Sequence, residues 1–161
     1  MYEQILVPTD GSDTAKVGII EACKLAKALD AQVRLVYVVE AFLAIPPEAY
    51  GAAYAQMTES LREGGASALL YAQNVAKEAG IAAQTQLVED MGLPVGEVII
   101  KLAKEWPADL IVCGTHGRRG LRRIVMGSDA EYVVRHSPVP VLLIRQDGRY
   151  NSALTKEARA G

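Results

Sequence analysis

The sequence predicts a doubly wound α/β domain, with five parallel strands in the order 3-2-1-4-5 and helices on both faces of the sheet. Three observations predict it. Five short apolar runs alternate with amphipathic stretches of helical period, which is the pattern of parallel strands joined by crossover helices. The second run is apolar almost throughout, as a strand buried on both faces must be. Clusters of turn-forming residues follow the first and fourth runs. Right-handed crossovers make a sheet of this order reverse there and leave a ligand crevice beyond the strand ends.

The first run, Ile5-Leu6-Val7, stops at Pro8-Thr9-Asp10-Gly11-Ser12, a loop of turn formers. Ser12 or Asp13 can cap the helix that follows, whose apolar positions Val17, Ile20, Ala22, Leu25 and Leu29 recur at helical spacing. The second strand is Val33 to Val39. Glu40 to Gln56 contains Pro46-Pro47 and Tyr50-Gly51-Ala52-Ala53-Tyr54 and reads as an irregular connection, of a length that is usually functional or mobile. A long helix then runs from Thr58 to Ala79 and ends at Gly80, a left-handed cap. The third strand is Ala82 to Val88, the next helix Val95 to Glu105, and the fourth strand Leu110 to Cys113. A last helix, Asp129 to Arg135, leads to a fifth strand, Val139 to Ile144. Residues 1–146 read as one domain and 147–161 as a polar, flexible tail.

Composition excludes several classes. The chain has 161 residues, half of them apolar and 22% charged, so it can bury a proper core and is neither disordered nor dependent on staples. A net charge of −2 argues against a nucleic-acid or membrane-surface protein. Cys23 and Cys113 are too far apart for a CxxC site and read as small core residues in a reducing compartment. Apolar runs are too short to span a membrane, and Met1-Tyr2-Glu3-Gln4 has no basic start to a secretory signal. The expected location is the cytoplasm.

The chemistry concentrates after the fourth strand, in Gly114-Thr115-His116-Gly117-Arg118 and onward to Gly127-Ser128. Gly114 and Gly117 permit tight turns and close backbone approach to a ligand. Gly127 and Ser128 open the last helix, whose unpaired amides and dipole suit phosphate. Arg118, Arg119, Arg122 and Arg123 make a local basic patch on an acidic chain. The loop is not a Walker motif, since no GxxxxGK[ST] occurs, and no GxGxxG follows the first strand. Gly-x-x-Gly, nine residues, then Gly-Ser is the distinctive spacing.

These residues, with Ile5 to Ser12, Asp109 to Val112 and Ser137 to Leu142, resemble the universal stress protein family over about Tyr2 to Arg145. The glycine spacing resembles its ATP-binding branch, G-x2-G-x9-G-[ST], without a gap. The resemblance implies that Pro8, Thr9 and Asp10 line the adenosine side of a pocket, with Asp10 near the ribose and the backbone of Val38 at the adenine edge. It implies that Gly114, Thr115, His116, Gly117 and Arg118 wrap ribose and triphosphate. Gly127 and Ser128, with the amides of Asp129 and Ala130, would then hold the terminal phosphates. The implied ligand is ATP with Mg²⁺ or Mn²⁺. Asp129 departs from the apolar residue common in the family, and its carboxylate would oppose phosphate by about 1–4 kcal/mol.

Plainer readings stand beside these. Ser128-Asp129-Ala130-Glu131 is also a capping box, and Asp10 could serve only as a cap. His116 has no Ser or Cys nucleophile beside it in the motif, so no catalytic residue is assigned. No metal-ligating residue is assigned either. His136 reads as stabilising a helix C-terminus, and Met57, Met91 and Met126 as packing residues. The arginine cluster reads as a solvated face or a docking patch for an acidic partner. RNA binding is disfavoured because no aromatic platform accompanies it. The fifth strand lies at the sheet edge yet is apolar, a hazard that a second copy would cover. The resemblance implies the same pairing, a homodimer through Val139 to Ile144. The expected function is an ATP-dependent switch or sensor in stress response, with an unidentified partner protein. A slow or partner-dependent ATPase and a nucleotide-independent dimeric adaptor are the alternatives.

Overall fold

The computed structural model describes residues 1–39, 52–90, 92–115 and 126–145. The elements in order are β1 (Gln4–Pro8), α1 (Asp13–Leu29), β2 (Gln32–Val39), α2 (Ala52–Glu78), β3 (Gln84–Glu89), α3 (Val95–Glu105), β4 (Leu110–Gly114), α4 (Ser128–His136) and β5 (Val141–Ile144). All four pairings are parallel and the sheet order is β3-β2-β1-β4-β5, as the sequence predicts.

Strand alternation divides the core into two halves. Ile5, Val7, Val33, Leu35, Tyr37, Val39, Leu110 and Val112 face one side, where α1 and α2 cover them through residues such as Val17, Ile19, Leu69 and Ala72. Leu6, Val36, Val38, Ile111 and Cys113 face the other, under Val98, Ile99 and Leu102 of α3 and Val133 of α4. Cys23 and Cys113 are buried free thiols, and burial pushes each up to about 11, so both behave as the small apolar residues expected.

Four boundaries differ from expectation for local reasons. The α2 helix begins at Ala52 rather than Thr58, because Ala52 to Gln56 are mostly strong helix formers despite their place beside an irregular stretch. The third strand starts at Gln84, two residues late, because Ile81 to Ala83 form a turn closed by the Ala83 amide donating to the Ile81 carbonyl at 3.1 Å. The fifth strand starts at Val141: Pro138 and Pro140 lack donors, and Ser137 Oγ donates to the Val139 carbonyl at 2.7 Å and accepts its amide at 3.2 Å. The last helix begins one residue early, with Gly127 as its N-cap and no side-chain capping bond, so the Ser128–Glu131 capping box does not form. Met57 is 39% exposed and is not a core residue. Among the described residues no helix is long and apolar enough to cross a membrane. The expected tail, most of Glu40 to Gln56, Met91 and the arginine cluster lie outside the described residues.

Candidate functional site

At the C-terminal end of the sheet, β1 and β4 are neighbours whose crossover helices leave on opposite faces, α1 after β1 and α4 after β4. A crevice between their ends follows from this reversal. Pro8 has no amide, and the β1–β2 ladder resumes at Thr9, whose amide donates to the Val36 carbonyl at 2.8 Å. Thr9 is buried, and its Oγ1 accepts the Gly11 amide at 3.3 Å. Asp10 Oδ1 accepts the Ser12 amide at 3.0 Å, and Ser12 Oγ in turn caps α1 by accepting the Ala15 amide at 3.2 Å. Asp10 is therefore the pivot of the turn and Ser12 is the cap. Gly11 has φ +78°, a conformation that side chains rarely adopt. A Cβ there would also lie 3.3 Å from Ala68, so α2 borders this loop.

On the β4 side, Gly114 ends the strand in register with Ile144, and the Thr115 amide donates to the Ile144 carbonyl at 2.9 Å. The Thr115 carbonyl then accepts the Gly127 amide at 2.9 Å. That bond closes the glycine segment and sets the start of α4 beside the end of β4. The first intrahelical bond of α4 runs from the Glu131 amide to the Gly127 carbonyl at 2.9 Å, so the amides of Ser128, Asp129 and Ala130 precede it. Asp129 and Glu131 put two carboxylates on that first turn, a stabilising match to the helix dipole that would compete with an anionic ligand.

Of the residues singled out in the sequence, the structure therefore brings together Pro8, Thr9 and Asp10 with Gly114, Thr115, Gly127, Ser128, Asp129 and Ala130. Val38 is buried toward α3, one residue before β2 ends, and pairs with Val88. His116, Gly117 and Arg118 lie outside the described residues. His136 sits in the last turn of α4, its Nδ1 2.9 Å from the Tyr132 carbonyl and its ring stacked on Tyr132 at 4.0 Å. This matches the helix-end role expected for it. The Cys113 thiol, one residue before Gly114, stays protonated because burial raises it, so it supplies no nucleophile here.

Among the described residues, no group of three or more His, Cys, Asp or Glu is arranged to hold a metal ion. Asp10 and Asp129 are single carboxylates, and donors of this kind fit a divalent ion only when phosphate oxygens supply most of the shell. An open groove of about 530 Å³ lined by Met1, Tyr2, Leu25, Leu29 and Asp109 lies at the opposite end of the sheet. Its one charged group already accepts the Glu3 and Gln4 amides, at 2.7 and 3.1 Å.

Sequence reasoning missed the part of α2 beside the site. Arg62 forms a two-pronged ion pair with Glu89, Nε to Oε1 at 2.6 Å and Nη2 to Oε2 at 2.8 Å. The two residues are 27 apart in sequence, and no local pattern links them.

Comparison with known proteins agrees with this architecture. Residues 1–145 match the model of the universal stress protein family. A universal stress protein of Methanocaldococcus jannaschii is 38% identical over 148 residues, covering 91% of this chain and 84% of the relative. The structure of the universal stress protein UspA from Lactobacillus plantarum superposes with a TM-score of 0.80 at 30% identity, over 89% of this chain and 98% of that one. A universal stress protein crystallised in complex with cAMP superposes with a TM-score of 0.64 at 26% identity, over 91% of this chain and 98% of that one. With its strand order, its glycine spacing and these matches, the chain belongs to the universal stress protein family.

Proposed function

We propose that this chain binds ATP in the crevice between the ends of β1 and β4 and acts as a nucleotide-dependent switch in stress response. The observation that carries the reading is the 2.9 Å bond from the Gly127 amide to the Thr115 carbonyl. It holds both ends of the glycine segment together, so that backbone from β4 and the first amides of α4 converge on one place opposite Asp10. Backbone amides at a helix start suit phosphate, and the uninterrupted G-x2-G-x9-G-S spacing suits several phosphates rather than one. The cAMP complex of a 26% identical family member supports the adenine half of the reading. Mg²⁺ or Mn²⁺ would enter with the phosphates, which neutralises them against Asp129.

In this reading the protein is a cytoplasmic homodimer that pairs through the open edge of β5. Leu142 there is 37% exposed. ATP shifts what the dimer presents to a partner protein only so far as it binds two states differently. Hydrolysis is not required.

The test is to denature purified protein and identify any released nucleotide by mass, with Gly117→Val as control. ATP from the wild type and none from the variant is the expected result. AMP or cAMP would keep the pocket and correct the phosphate count. No retained nucleotide, followed by no binding of added ATP with Mg²⁺, would overturn the switch in favour of a nucleotide-independent adaptor.

A further inference from the structure

The α2 helix returns from the C-terminal end of β2 to the N-terminal end of β3, so its first turns lie at the same end of the sheet as Asp10 and Gly114. Its middle is seated deeply. A Cβ on Gly65 would lie 2.7 Å from side-chain carbons of Tyr37 and Leu87, which means the helix backbone rests directly on β2 and β3. One turn earlier, Arg62 meets Glu89, the last residue of β3, which is in register with Val39 at the end of β2. Beyond Arg62 the helix has no strand left to pack on. Ala52 to Leu61 thus project past the strand ends by about 15 Å, at ~1.5 Å per residue. The described positions from Ala55 to Leu61 are exposed except Thr58 and Leu61, which are half-buried.

This projecting piece stands beside the crevice. Ala68 touches the loop at Gly11, next to Asp10, and Leu61 lies two turns further along the same helix face. The Arg62 fork is directional: both prongs engage one carboxylate, while Nη1 is held by Glu59 one turn up the helix at 2.5 Å.

We propose that the Arg62–Glu89 pair is a positioning clip that fixes the projecting turns of α2 beside the adenosine side of the crevice, and so sets how fast a nucleotide enters and leaves. This rests on the nucleotide reading of the crevice. The pair is exposed and contributes little to global stability. Its effect is local, on the last anchor of a helix segment that has no other support from the sheet. Geometry matters as much as charge, because a lysine would meet Glu89 as a point charge and not as a fork.

The test uses the full chain loaded with radiolabelled ATP and Mg²⁺ and chased with unlabelled ATP. Amide hydrogen exchange at residues 55–61 is measured in parallel without nucleotide. Arg62→Ala, Arg62→Lys and Glu89→Gln should each speed release by about fivefold, the upper end for an exposed networked pair, and raise exchange at 55–61. Association should quicken too, so that affinity moves less than either rate. Exchanging the two residues, Arg62→Glu with Glu89→Arg, should recover part of the slow release. Unchanged release from variants of a wild type that retains ATP would overturn the clip alone. So would faster release with no change in exchange at 55–61. A wild type that retains no ATP would overturn the nucleotide reading beneath it, whatever the exchange data show.

Discussion

The Gly127 amide donates to the Thr115 carbonyl at 2.9 Å, joining the start of α4 to the end of β4 across the intervening glycine segment. Gly127 has φ −64°, which proline also adopts. Gly127→Pro therefore deletes one donor with little strain at residue 127. Loss of one hydrogen bond predicts ATP binding weakened by roughly three- to tenfold, measured by titration, with a melting temperature lowered by only a few degrees. Full retention of affinity would mean that the closure does not shape the pocket.

Adjacent glycines in α2 should respond in opposite directions. A Cβ on Gly65 would meet Tyr37 and Leu87 at 2.7 Å, whereas nothing lies within 4 Å of one on Gly64. Gly65→Ala should cost about 1–3 kcal/mol through overpacking. Gly64→Ala should gain about 0.5–1 kcal/mol from helix propensity. Denaturant melts of the two variants would reveal both signs.

Ser12 Oγ accepts the Ala15 amide at 3.2 Å and is the side-chain cap of α1. Ser12→Ala should destabilise the fold by about 1 kcal/mol, a fall of roughly 2–4 °C in melting temperature for a chain of this size. Asp10 turns on the Ser12 backbone rather than its hydroxyl, so the turn at Asp10 should survive. A loss of ATP affinity greater than the loss of stability would show that the cap also shapes the site.

Burial raises the thiols of Cys23 and Cys113 from 9.0 to about 11. The native thiols thus keep their protons longer than the unfolded ones. Between about pH 9 and 11 unfolding releases protons that the native state retains, so stability falls as pH rises through this window. Below 9 the contribution is fully present. Replacing both residues by alanine should flatten this part of the stability curve while lowering it overall through lost packing. Equal slopes for wild type and double variant would contradict the shift.

The fold was legible because both periodicities were clean. Val33 to Val39 is apolar on both faces, and Val17, Ala22 and Leu25 repeat as a helix must. The glycine spacing was equally legible, because it is a one-dimensional pattern. Ser128 shows where reading fails. Ser-x-x-Glu is a capping signature, yet the extended residue before the helix is Gly127, and sequence alone does not say which of two neighbours takes that conformation. Arg62 and Glu89 were invisible for another reason. Their meeting depends on where a 27-residue helix crosses the end of a strand, which only packing at Gly65 determines. Val139 and Pro140 failed as strand residues because the Ser137 hydroxyl takes over backbone bonding at Val139.

Asp109 grips the amides of Glu3 and Gln4 at the end of the sheet remote from the crevice, and Met1 beyond them is 94% exposed. The molecule thereby has a natural handle. A tag or a sensor chip coupled at Met1 would orient every copy with its crevice toward the solution, and Asp109 would keep any pull on that handle from reaching the first strand. Surface-based binding assays, in which random coupling commonly blinds a fraction of the sites, can be run on this protein with a uniform population.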